Sequence, residues 1–145
     1  MAGAAERLAV GLTLVAAGLH LALWGVASPW GRAELAGSAA LVAGLGWIAW
    51  AVATLRAAGT PVGGTGARVL VEEGPYRFGR HPIWLGTGVA MFGGSLALGV
   101  PLLGLAALVY AGLVATVHAP AEEARLVGHF GGWYRDYAAD VRRWV

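Results

Sequence analysis

Two long apolar runs near the amino end constrain this chain more than any other feature. Leu8 to Ala27 holds 20 residues without a formal charge, and at about 1.5 Å per residue it reaches roughly 30 Å, the thickness of a hydrocarbon core. Glu34 to Leu55 is a second apolar run, charged at its first residue alone. Its Trp47 and Trp50 suit a membrane interface, and Gly37, Ala40, Ala43, Gly44 and Gly46 let a neighbouring helix approach closely. Ile83 to Leu98 and a run over 101–117 are shorter, near the roughly 17-residue lower limit for a span, with Gly99 and Pro101 between them. They read as a short, tilted hairpin. The expected fold is all-α and integral to the membrane: one domain with four transmembrane helices (8–27, 34–55, 83–98 and 101–117), a polar loop over 56–82, and a carboxyl-terminal helical tail over 120–145. In that tail Leu126, Phe130, Trp133, Tyr137, Val141 and Trp144 recur every three or four residues, as in an amphipathic cytoplasmic helix, with a break at Gly131-Gly132. Pro120 is expected to end the fourth helix.

Arginine placement tests this topology. All ten basic residues are arginine. Four spans put Arg7, Arg56, Arg68, Arg77, Arg80, Arg125, Arg135, Arg142 and Arg143 on one side and leave Arg32 alone on the other, in a Ser28-Pro29-Trp30-Gly31-Arg32 turn. By the positive-inside rule the crowded side is cytoplasmic, and both termini face it. The expected location is a bacterial or archaeal inner membrane, with the bilayer itself as a partner. The composition agrees, at 58% hydrophobic and 12% charged against roughly 45–50% and about 25% for soluble chains. A net charge of +2 without a basic run argues against nucleic acid. The opening MAGAAERLAV has no clear cleavage site after its apolar run, so that run is expected to stay as a span. The absence of cysteine excludes disulfides and thiolate chemistry.

Polar chemistry is concentrated in Val71 to Gly86, VEEGPYRFGRHPIWLG, and in His118 to Val145. The topology brings both to the same membrane face. Proline is favoured at the first position of a helix, so the third span should begin at Pro82. Its free amides, beside Arg77, Arg80 and His81, suit an anion or carboxylate, although arginines there also anchor a helix at lipid headgroups. Glu122 and Glu123 stand at a helix start. They serve the helix dipole there, or receive hydroxyl, amino or cationic groups of a ligand. His118 is a dipole partner, ligand or base. His20 in the first span should face the bundle rather than lipid. The four histidines show no metal-ligand spacing. Gly63 to Gly66 lacks the Gly-Lys-Ser/Thr of a phosphate loop. Gly86-Thr-Gly88 reads as close helix packing.

The words Gly59-Thr-Pro61, LVEEGPYRFGRHPIWLG and EEARLVGHFGGWYRDYAADVRRW, in that order, resemble the integral-membrane methyltransferases of the isoprenylcysteine carboxyl methyltransferase and phospholipid methyltransferase type. The likeness runs from about Gly59 onward. It implies S-adenosylmethionine as methyl donor and a lipophilic small-molecule or lipid acceptor with a carboxylate, amine or thiol. Carried over residue by residue, Tyr76, Arg80, His81, Trp84 and Gly86 form one wall of the cofactor pocket and Glu122 and Glu123 the other. His118 is counted with this set. Arg125, Tyr134 and Tyr137 are weaker candidates at the substrate entrance, and no general base is named. Trp84 stands where the family usually has tyrosine, which keeps stacking and removes a hydroxyl. Two other readings stay open: an NADPH-dependent membrane reductase of sterol-reductase type, and a non-catalytic membrane scaffold subunit.

Overall fold

The computed structural model describes residues 2–24, 33–62 and 69–145. Arg32, Arg68, the turn from Ser28 and the Gly63–Gly66 stretch lie outside the described residues. Within them the chain is helical, with no strand: α1 (Ala2–Trp24), α2 (Ala33–Ala57), α3 (Pro82–Leu98), α4 (Pro101–Leu113), α5 (Ala119–Phe130) and α6 (Gly132–Asp140). α1, α2 and the continuous helical stretch Pro101–Phe130 are long and apolar enough to cross a membrane; α3 is apolar but shorter, at 17 residues. The outward faces carry Leu14, Leu35, Val42, Leu105 and Leu108, all exposed, as expected of helices whose solvent is lipid.

In space the helices pack in the order α2, α3, α4, α1. On α1, Ala5, Ala9, Ala16 and His20 recur at helical spacing and form its buried face. Small side chains there let α1 lie close to Leu103, Ala106, Ala107, Tyr110 and Val114. His20 faces inward, at 3% exposed. α2 and α3 interlock through glycines two turns apart. A β-carbon on Gly37 would meet Gly93 O at 2.7 Å, and one on Gly44 would meet Gly86 O at 2.7 Å. Gly46 and Gly88 face open space, so the packing role belongs to Gly86 alone in Gly86-Thr-Gly88.

Helix ends follow local chemistry. α2 closes on Gly59 (φ 66°), with Thr60 N–H donating to Leu55 O (2.9 Å) and Gly59 N–H to Arg56 O (3.0 Å), the paired bonds of a Schellman cap. α3 begins at Pro82 and ends on left-handed Gly99, and Pro101 opens α4.

Pro120 does not end the fourth helix. The helix instead widens to a π-turn over Val114–His118 and runs on into α5. A proline inside a helix lacks an N–H, and its ring crowds the carbonyl four residues back, here Thr116. Widening the preceding turn accommodates both, and the helix continues.

The tail also departs from a single apolar stripe. Gly131 (φ 61°, ψ −125°) separates α5 from α6 and rotates the second helix. Trp133 is then 60% exposed, whereas Tyr134 and Tyr137 are buried. Few residues with a β-carbon tolerate that backbone. Gly131→Ala is therefore expected to cost about 1–3 kcal/mol in thermal unfolding in detergent, whereas Gly128→Ala, inside α5 with open space beside it, should cost nothing measurable.

Candidate functional site

The first residue of α3 is proline, so His81 just before it takes a non-helical backbone (φ −128°, ψ 56°) and turns its ring inward, at 5% exposed. The imidazole stacks on Trp84, with centroids 4.8 Å apart and planes 11° from parallel, and also meets Trp144 at 5.7 Å. Nδ1 lies 3.3 Å from Glu122 Oε2 and Nε2 lies 3.1 Å from Glu123 Oε1. A neutral imidazole donates to one carboxylate only; the cation donates to both.

The continuation of the fourth helix past Pro120 brings both acids to this histidine. Glu123 accepts a fork from Arg143, Nε to Oε1 and Nη2 to Oε2, each at 2.8 Å, and Arg80 Nη2 stands 3.5 Å from Oε1. Bidentate pairing of this kind fixes direction as well as charge. Its hydrogen bond with Glu123 is the main reason the Arg143 guanidinium holds its proton more tightly than usual. Glu122 is held more loosely, by Arg125 Nη2 at 3.3 Å.

A cavity opens beside this cluster. Arg80, His81 and Glu122 supply its charge, with Glu6 from the start of α1; Trp84, Tyr76, Tyr134 and Tyr137 supply aromatic faces; Leu55, Ile83, Leu126 and Phe130 supply an apolar side. Thr60 and Pro61, set by the α2 cap, complete the rim. Tyr137 donates to the Tyr76 carbonyl (2.7 Å) and meets Tyr134 edge to face. Burial raises the phenol of Tyr76, and the Glu122 charge raises it further. Burial is also the main cause for Tyr134, with Glu123 adding to it, and for Tyr137, with Tyr134 adding to it. All three phenols are neutral near pH 7, so they serve as donors and walls rather than bases. Tyr137→Phe leaves the Tyr76 carbonyl without this donor and should cost about 1–3 kcal/mol of stability, read as a lower unfolding midpoint.

Of the residues singled out from sequence, Tyr76, Arg80, His81, Trp84, Glu122, Tyr134 and Tyr137 border the cavity. Others do not. Glu123 lies behind His81, next to Arg143, on a separate surface groove. Gly86 faces α2, where a β-carbon would meet Ile48 Cγ1 at 2.7 Å. His118 meets the Trp84 ring edge at 6.4 Å, and Arg125 pairs with Glu122. Glu6 was not picked out, and Arg143 and Trp144, though part of the tail motif, were not named as site residues. Glu6 sits far from the polar words, and only the α1–α4 packing brings it here. Arg143 had one usable signal, since two adjacent, half-buried acids call for cationic partners.

Apolar helices of membrane-crossing length, with a charged, aromatic-walled cavity beside them, define an integral membrane protein. A family model described as Phospholipid methyltransferase matches residues 33–132, more than half of the chain, and the chain belongs to that family of methyltransferases. Comparisons with curated proteins and with solved structures return no significant match. The matched stretch includes the GPYR turn, His81 and both glutamates, and leaves out α1 and residues 133–145.

Proposed function

We propose that this chain transfers a methyl group from S-adenosylmethionine to a lipophilic acceptor at the cytoplasmic face of the membrane. The observation that carries the reading is the convergence of Arg80, His81 and Glu122 on one aromatic-walled cavity at the start of α3. The donor set fits the cofactor's chemistry. Arg80 and the open amides of α3 suit its carboxylate, Glu122 suits its ammonium or ribose hydroxyls, and Trp84 and Tyr76 offer faces to adenine and to a sulfonium cation. When bound, S-adenosylmethionine supplies an electrophilic methyl group on sulfur.

The protein's own part is alignment and the exclusion of water. Tyr134 and Tyr137, buried and neutral, close one side against solvent. Leu55, Leu126 and Phe130 make the apolar side, toward which a lipid acceptor can enter from the bilayer. In this reading α3 is the fourth span, at the lower length limit, and the arginine-rich end is cytoplasmic.

The test is transfer of tritiated methyl from S-adenosylmethionine by protein in lipid nanodiscs. Label recovered in the organic phase supports the reading. Transfer to water-soluble acceptors alone contradicts a lipophilic acceptor, and no transfer to any lipid or soluble acceptor contradicts the activity.

A further inference from the structure

We infer that residues 141–145 form a strap that positions His81, with Arg143 and Trp144 as positioning residues; Glu123 then serves the strap, and Glu122 is the acid that faces the ligand. The inference rests on the proposed methyl-transfer reading and divides the labour within its site. α6 ends at Asp140, and the backbone becomes extended at Val141 (φ −112°, ψ 129°). The Arg142 carbonyl accepts from the Arg80 N–H at 3.1 Å, which pins the strap to the residue before His81. Gly79 leaves the room for this crossing, since a β-carbon there would come within 3.2 Å of the Trp144 backbone.

From that anchor Arg143 reaches Glu123 and Trp144 reaches the imidazole. Both oxygens of Glu123 are engaged, Oε1 by Arg143 Nε and His81 Nε2 and Oε2 by Arg143 Nη2. It has no place on the cavity wall, which Glu122 borders. Two adjacent acids of the same type therefore do different work. The arginine fork fixes Glu123, Glu123 orients one edge of the imidazole, and the other edge presents itself with Glu122 to the ligand. Without Arg143, Glu123 loses the fork that fixes its direction, and the imidazole edge bonded to it loses its fixed partner. Neither strap residue lies in the family-matched stretch, which ends at residue 132.

The test measures binding of S-adenosylhomocysteine by calorimetry to the full chain in detergent, as wild type and as the variants R143Q, R143K, W144F, H81Q and H81Q/R143Q. R143Q should bind about 10-fold more weakly or worse, given what a charge-assisted hydrogen bond contributes. R143K, which keeps the charge and loses the fork, should recover part of the loss, and W144F, which keeps an aromatic ring against His81, should bind nearly as wild type. In the H81Q background R143Q should cause no further loss, because it acts through His81. Wild-type affinity in R143Q, or an equal loss with and without His81, overturns the strap while leaving the methyl-transfer reading intact. Failure of the wild type to bind overturns that reading, and the strap with it.

Discussion

Gly93→Val is expected to be the most damaging single substitution outside the site, lowering stability by about 3 kcal/mol or more. A β-carbon at this position would meet the α2 backbone itself, with Ala40 C and Gly37 O each 2.8 Å away. Flexible side-chain tips can move aside, but a helix backbone cannot yield without shifting the whole of α2. Gly44 and Gly86 form the same contact two turns further along, so a shift at one end strains the other. Membrane helices lack the hydrophobic drive of water and depend on such close packing. Gly88→Val makes the control, because open space lies beside Gly88. Thermal unfolding in detergent should show a large loss for Gly93→Val and little for Gly88→Val. Equal melting of the two would remove the α2–α3 interlock from the account.

His81→Ala and Glu122→Gln should each weaken S-adenosylhomocysteine binding by about 10–100-fold, on the scale of charged hydrogen bonds removed from a buried site. His81 is 5% exposed and bridges both acids. Its removal takes away the group between the two carboxylates and leaves Arg80, Arg125 and Arg143 beside them. Glu122→Gln keeps the shape and removes the charge, so it isolates electrostatics from packing. Circular dichroism should show the helices retained in both variants. Binding unchanged in either variant would take that residue out of the ligand site.

How much was legible in the sequence depended on the range of the interaction involved. Pro82 as a helix start, Gly99 as a stop and the apolar runs each rest on one residue or one segment, and the structure shows them in place. The convergence of the GPYR turn, His81 and Glu122 was legible because motif order and topology pointed to one end of the bundle. Pro120 was misread because the local rule assumes a regular α-helix, whereas a π-turn over Val114–His118 lets the helix pass through it. Gly86 and Gly88 look alike in sequence. Which of them faces α2 depends on the rotation of α3, and that is set by the Gly37–Gly93 contact far along the helix. Arg143 reaches Glu123 across 20 positions and Trp144 reaches His81 across 63, after a positive-φ glycine turn at Gly131. No local spacing rule encodes a contact of that kind.

The central claim is that the cavity at the start of α3 holds S-adenosylmethionine, and calorimetry on the detergent-purified wild-type chain tests it most directly. The account predicts saturable binding of both S-adenosylmethionine and S-adenosylhomocysteine, with NADPH giving no heat. Silence from both sulfur compounds on folded, lipid-supplemented protein would contradict it, and binding of NADPH in their place would assign the cavity to a reductase.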